Sequence, residues 1–545
     1  MTTRNVTYPQ TPFPSATNLT EHEKALLAPM IRWGWGMYMV VAALGAVIAF
    51  GAYAYFIQLR DGLAVTGMRD TVSWGLYITN FVFFIGISHV GALLSSILRL
   101  TGAKWRHPIT RMAEAITFAA LLMGAIMPFV DLGRPERALN LITHGRLQSP
   151  ILWDIVSITT YLTGSTIFLL LPLIPDMALL RDKLSDAPRW RRWLYRILSF
   201  GWRGTPNQHA RLELAMNTMA VLILPIAVMV HTVVSWIFAM TLRPGWNSTI
   251  FGPYFVAGAL ASGAASVVLA MAVFRKLYRL ENFITVRHFK NMTALVLVLD
   301  LVYLYFNLSE YATTAYKMQL SEKGLLLELF TGPLAPLFWF TQVFGLIVPA
   351  FLLVLPAIKP VAGLRRVSIL RPVPLAASAI AAAVVLVVPR TQPLAGFGLA
   401  ALLPLIRLGA LVIVGLFALS LLPILQARPI TSAVIASALI VIQAWLKRYI
   451  IVVPVFEHPY LPVHDPTLSV ALYRPTWVEW AITAGALAGF VLVYFLFSRL
   501  FPIVSVWETA EGGDGRRVTG DAAYPAERSA SGDTRHTPLV TSQEA

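Results

Sequence analysis

The chain has 545 residues, 57% hydrophobic and 13% charged, with a net charge of +16 and no cysteine. The lack of cysteine excludes cysteine-ligated iron–sulfur clusters, covalently attached c-type haem and a disulfide framework. The positive charge does not read as nucleic-acid binding, because the basic residues lie in loops between long apolar stretches and report membrane topology instead.

In chain order, residues 1–30 are polar, lack the apolar run of a cleavable signal peptide and read as a cytoplasmic N-terminal segment. Twelve apolar stretches follow, at 33–57, 73–98, 111–130, 151–174, 212–238, 251–274, 291–309, 334–358, 373–389, 394–424, 430–453 and 476–500. About 20 apolar residues cross the hydrocarbon core as a helix. Backbone polar groups in lipid must pair internally, so the expected fold is all-α, a polytopic transmembrane bundle of about twelve helices. The alternating strands of a membrane barrel are missing. The ninth stretch is short and ends at Pro389, and the tenth contains Pro404 and Arg407 and reads as broken. Residues 503–545 lose apolar character after Trp507 and read as a disordered cytoplasmic tail.

Loops after even-numbered stretches hold 22 Lys/Arg and 3 acids, whereas loops after odd-numbered stretches hold 10 Lys/Arg and 9 acids. Both termini are therefore expected in the cytoplasm, with the odd loops facing the periplasm. Removing the ninth and tenth stretches together leaves this orientation unchanged. Trp33, Trp35, Trp74, Trp153, Trp246, Trp477 and Trp480 lie near the expected helix ends and read as interface anchors.

A few polar residues interrupt the apolar stretches. At about 1.5 Å per residue, Asp131, Asp154 and Asn80 fall in the outer half, His89 near mid-membrane and His231 about two turns below the outer end. Glu114 and Asp300 fall in the inner half, and Glu310 and Tyr311 close the seventh stretch outside. Each buried charge costs roughly 2.5–3.5 kcal/mol, so these residues are functional candidates. Structural alternatives stand beside them. Glu114 could pair with Arg111 at i,i+3, and Lys447 and Arg448 could line a helix interface. Asp131 could cap a turn with Arg134 as partner, Asp154 could answer the helix macrodipole, and either histidine could bond a neighbouring backbone group. The outer set could serve a hydroquinone, which needs a carboxylate or imidazole to accept its proton and an apolar slot for its tail.

The run Asp131-Leu132-Gly133-Arg134-Pro135-Glu136-Arg137, followed by Ser149-Pro150-Ile151-Leu152-Trp153-Asp154, resembles the NrfD/polysulfide reductase membrane-subunit family. Further segments are similar to one branch, the quinol-oxidising membrane subunit of alternative complex III. They include Trp74-Gly75-Leu76-Tyr77-Ile78-Thr79-Asn80-Phe81, Gly86-Ile87-Ser88-His89, Arg111-Met112-Ala113-Glu114-Ala115, His231-Thr232-Val233-Val234-Ser235 and Pro475-Thr476-Trp477-Val478-Glu479-Trp480.

The resemblance implies a cofactor-free membrane subunit that binds quinone near the outer face and exchanges electrons with an iron–sulfur partner docked there. In the branch, the quinol site is similar to a His near the end of helix three plus an Asp early in helix four. Asp154 matches the second position, and Asp131 stands at the first. A carboxylate has a reference pKa of roughly 4 against 6.5 for His, which leaves the direction of electron flow open. The expectation is a quinone-binding subunit of a respiratory oxidoreductase complex, not active alone. Asp154 is the proton acceptor and Asp131 the second hydroxyl ligand. Asn80, His89, Arg134, Trp153 and His231 line the quinone, and Glu114 and Asp300 form an inner proton path. The substrate is menaquinone or ubiquinone, with no haem or metal bound by this chain. The expected partners are a periplasmic iron–sulfur or molybdopterin-like subunit, a multihaem cytochrome c and other membrane subunits of a complex in the bacterial inner membrane. The domains follow as 1–30, a family core 31–359, an inserted helical pair 360–429, C-terminal helices 430–502 and the tail 503–545. Three rivals are a proton-coupled secondary transporter, a site-dead scaffold, and a b-type cytochrome using His89 and His231, which the depth estimate sets apart.

Overall fold

The computed structural model describes residues 20–31, 34–184, 187–241, 243–358, 425–458 and 472–511. Among these, ten helices are long and apolar enough to cross a membrane. They are α1 (Trp35–Asp61), α2 (Leu76–Leu100), α3 (Thr110–Asp131), α4 (Pro150–Lys183), α5 (Pro206–Ala239), α6 (Phe251–Leu277), α7 (Val286–Lys317), α8 (Ala335–Ala357), α9 (Pro429–Glu457) and α10 (Trp477–Leu500). The chain is an all-α, multi-pass membrane protein, and no strand occurs among the described residues. Ten of the twelve expected stretches match these helices. The other two, with most of the segment 360–429, lie outside the described residues, as do 1–19 and 512–545.

Local chemistry fixes several helix ends. Thr205, Thr285 and Thr476 each cap a helix in a reciprocal box with the residue three positions on, satisfying amides that a helix start leaves open. Pro150, Pro206 and Pro429 occupy first-turn positions, where a missing N–H costs nothing. α8 passes through a π-helical turn at Val343–Ile347.

The spans pack as two four-helix groups. In one, α2 touches α3, α3 touches α4, α4 touches α5, and α5 returns to α2. In the other, α6, α7, α8 and α9 close a second ring, and α6 joins the rings by packing on both α2 and α5. α1 pairs with α10 along the flank of the first group. Their crossing depends on two glycines: a Cβ on Gly51 would lie 2.9 Å from the Ala481 carbonyl oxygen and 3.1 Å from Gly485 Cα. Small residues of this kind let membrane helices approach closely.

Ion pairs define one basic face. The helix Glu21–Ile31 binds the end of α4 through Glu23 and Lys183, 2.6 Å apart. Residues 503–511, which begin the expected tail, fold back against this same face. Ile503, Val504 and Val506 are buried, and Glu508 pairs with Arg106 at 3.2 Å and Arg99 at 3.5 Å. The α2–α3 turn, the α4–α5 connection and both ends of the described chain therefore share one side, as the loop charges predict.

Candidate functional site

On the side opposite the basic face, α3 ends at Asp131 and the chain reverses through Gly133 at φ +65. Glycine suits that left-handed backbone, and a Cβ there would also lie 2.8 Å from Leu63 Cγ. Gln58 of α1 locks the corner. Its Nε2 donates to the Val130 carbonyl at 2.8 Å, and its Oε1 accepts from the Tyr77 hydroxyl at 2.5 Å. Beside them Glu479 of α10 is fully engaged, accepting from Gly67 N at 2.6 Å, Thr476 N at 2.9 Å and the Tyr473 hydroxyl. Asp131 lies within electrostatic reach of Glu479 and Tyr77. Its own Oδ1 is buried without a hydrogen-bond partner.

Asp154 is the fifth residue of α4 and is buried, with an Oδ1 that likewise has no partner. The positive end of the helix macrodipole lies one turn away. Trp153 Nε1 donates to the Leu147 carbonyl at 2.5 Å and ties the outer loop to the helix start. A buried polar atom left unpaired costs on the order of 1–3 kcal/mol, and more when charged. The two carboxyl oxygens lie on helices that pack against each other, one near the end of α3 and the other near the start of α4, and each can accept a hydrogen bond.

Asn80 is a bridge between helices: its Nδ2 donates to Thr483 Oγ1 and its Oδ1 accepts from Trp445 Nε1, both at 2.8 Å. Arg134 is exposed and forms no ion pair with Asp131 or Glu136 among the described residues. No hydrogen bond or ion pair joins Asp131 to Asp154.

His89 and His231, which the depth estimate set apart, touch: their ring centroids lie 4.5 Å apart. The crossing of α2 with α5 brings them together, a relation that residue counting along single helices cannot give. His89 sits with its ring nitrogens 2.6 Å from the Ile85 carbonyl oxygen and 2.8 Å from that of Ala227. Neither ring nitrogen of His231 has a hydrogen-bond partner at normal distance. The Arg448 guanidinium and the Phe255 backbone lie beside it, and Arg448 itself donates to Ala444 O of its own helix at 3.3 Å. Tyr161 completes the cluster, with its ring 5.1 Å from His89 and its hydroxyl donating to Ser88 O at 2.9 Å.

Toward the basic face, Glu114 keeps a buried Oε2 without a partner. It lines a cavity of about 10 Å³, also bounded by Arg99, Arg106, Arg111 and Glu508. Arg111 does not pair with it, binding instead the Asp176 carboxylate and the Pro172 carbonyl at 2.7 Å. In the second ring Asp300 is fully buried, with both carboxyl oxygens unpaired. On the same face of α7, Asn307 accepts from the Tyr254 hydroxyl at 2.8 Å and donates to Gln342. One turn on, Glu310 accepts from Ser248 Oγ at 2.5 Å. Lys447 donates to the Tyr311 hydroxyl at 2.5 Å. Glu310, Tyr311, Lys447 and Tyr254 line a cavity of about 40 Å³. No group of three or more His, Cys, Asp or Glu side chains gathers as a metal site among the described residues.

Sequence reading missed Gln58, Tyr77, Tyr161 and Glu479. Only Glu479 left a readable signal, the Thr476-Trp477-Val478-Glu479 spacing of a capping box. Its contacts to Gly67 and Tyr473 arise from tertiary packing.

A model of the family described as Polysulphide reductase, NrfD matches residues 64–392. The chain is 33% identical over 231 residues to a putative dimethyl sulfoxide reductase membrane subunit of Halobacterium salinarum, covering 42% of this chain and 49% of that protein. The match thus spans about half the length of that relative. A selenate reductase subunit of Mesobacillus selenatarsenatis is 24% identical over 330 residues, 58% of this chain and 74% of that protein. A menaquinone reductase integral membrane subunit of Nitratidesulfovibrio vulgaris is 26% identical over 166 residues, 30% of this chain and 38% of that protein.

Proposed function

This chain belongs to the polysulphide reductase NrfD family, and we propose that it is the quinone-binding membrane subunit of a respiratory oxidoreductase complex. The observation that carries the reading is the pair of buried, unpartnered oxygens, Asp131 Oδ1 and Asp154 Oδ1, on adjacent helices at one end of the bundle. The residues fit a quinol head group, whose hydroxyls would donate to these two oxygens. Menaquinol or ubiquinol supplies two electrons and two protons on oxidation.

The chain's own part is binding, orientation and proton transfer. Asp154 Oδ1 accepts one proton, and Asp131 Oδ1 holds the other hydroxyl and accepts the second. The Gln58–Tyr77 link fixes the end of α3 and so the position of Asp131. Electrons pass to an iron–sulfur partner docked on this side, taken as periplasmic because the opposite face carries the basic loops. The names of the relatives, which include a menaquinone reductase subunit and two reductase subunits, support a place in a multi-subunit redox complex. Asp131 in place of the histidine of the alternative complex III branch leaves room for either quinol oxidation or quinone reduction. Glu114 and Asp300 extend the proposal to proton movement, since both are buried with unpaired oxygens.

The test is Asp154→Asn in the assembled complex. Removing a positioned acid–base group typically costs 10²–10⁴ in rate. Quinone-linked turnover should fall by about that factor while the complex stays assembled. Full turnover with unchanged quinone-analogue binding sinks the proposal. Substrate transport by the isolated chain in liposomes, without a redox partner, favours a secondary transporter.

A further inference from the structure

We propose that the helix Arg189–Leu198, between α4 and α5, is an interfacial anchor that binds the anionic phospholipid leaflet on the basic face. Its sequence, RWRRWLYRIL, contains four arginines and no acid. Successive residues turn by about 100° in an α-helix, and this divides the helix into three faces.

One face is held by the bundle. Tyr195 is fully buried and its hydroxyl donates to Leu500 O at 3.0 Å. Arg191 donates to Arg499 O at 3.0 Å and to Met30 O at 3.3 Å. These bonds set the helix level with the end of α10, where the chain leaves its apolar span. That is the depth of the lipid head groups.

The second face is apolar and uncovered. Trp190 is 56% exposed, Trp193 65% and Ile197 45%, and the three fall within about 60° of one another around the axis. Phe200, two residues past the helix end, is also exposed, at 68%, and is held at φ +44, a left-handed backbone that bulky residues rarely adopt. The third face carries Arg189, Arg192 and Arg196, all exposed, again within about 60°. None of the three forms an ion pair among the described residues.

A helix in bulk water has no reason to expose two tryptophans on one stripe, and a lipid-buried helix would not carry four arginines in three turns. Adjacent aromatic and basic faces match a helix lying in the interface plane. Its tryptophans enter the acyl boundary and its arginines meet phosphate oxygens. The planar guanidinium bonds phosphate in a bidentate way. Each basic residue near an anionic leaflet contributes about 1 kcal/mol, so three correspond to about a hundredfold in lipid retention.

The chain has no cysteine, so single nitroxide labels report cleanly. Labels at Trp193→Cys and Arg192→Cys would be placed in the full-length chain in phosphatidylcholine nanodiscs, with and without phosphatidylglycerol. The Trp193→Cys label should be reached by oxygen and shielded from an aqueous nickel reagent, and the Arg192→Cys label should show the reverse. Native mass spectrometry should show phosphatidylglycerol retained over phosphatidylcholine, with about a hundredfold loss in the Arg189→Gln/Arg192→Gln/Arg196→Gln variant. Equal nickel access at both labels would overturn the proposal. Shielding of both labels from oxygen and nickel alike would overturn it too and assign the face to a protein partner. Equal retention of the two lipids, undiminished retention by the triple variant, or displacement of phosphatidylglycerol by inorganic phosphate would each also overturn it.

Discussion

Arg111 of α3 binds the carboxylate of Asp176 on α4 and leaves Glu114, one turn along its own helix, without an ionic partner. Asp176 also accepts from the backbone amides of Val506 and Trp507 at 3.2 and 3.1 Å. The pair therefore fastens the C-terminal strap to the bundle. Breaking a buried ion pair from one side typically costs 3–5 kcal/mol. Asp176→Asn should lower the thermal unfolding midpoint of the purified chain clearly, whereas Glu114→Gln should leave it nearly unchanged. A Glu114→Gln chain as unstable as Asp176→Asn would place Glu114 among the structural residues.

Proton movement is tested separately. Glu114→Gln and Asp300→Asn keep side-chain shape but remove the titrating proton. In vesicles holding the whole complex, each should lower the proton-to-electron ratio while quinone-linked electron transfer survives. A ratio equal to wild type in both would end the case for an inner path.

Asn80 should behave as a structural residue. Asn80→Leu orphans Trp445 Nε1 and Thr483 Oγ1, at roughly 1–3 kcal/mol for each buried group left unpaired. The expected result is a lower unfolding midpoint, with turnover per folded complex close to wild type. A large loss of turnover in well-folded complex would return Asn80 to the quinone site.

The loop between α3 and α4 exposes Leu139, Ile142 and Leu147, the last at 80%. A cysteine at Leu147 in intact cells should react with an impermeant thiol reagent and crosslink to a periplasmic subunit. Crosslinks found only to cytoplasmic proteins would invert the orientation.

Glu508 gives a pH signature on the opposite face. Burial acts to raise its carboxyl, but His107, 3.9 Å away, and the Arg106 and Arg111 charges outweigh that and hold it at about 2, below the usual 4.5. A depressed carboxyl adds stability that is complete above the unfolded value and fades as pH falls through the folded one. A spin label at Thr509→Cys should therefore stay immobile from pH 7 to about 5 and loosen below about 4. Glu508→Gln should loosen it already at neutral pH. An immobile label in that variant would show that the Asp176 bonds alone hold the strap.

The length and apolar character of α1–α10, the basic face and the motif around Asp131 and Asp154 were all legible in the sequence. Each is a local property: a stretch long enough to span lipid, a loop rich in arginine, a short run of residues. Pairing was not local, and only the tertiary structure decided it. Glu114 faces a cavity because Arg111 finds Asp176 65 residues away, and Asn80 is closed because Trp445 and Thr483 arrive from α9 and α10. His89 meets His231 because α2 crosses α5. A polar atom inside a bilayer must find its partner within hydrogen-bond reach, and helix crossings, which no single stretch of sequence contains, determine which groups come that close.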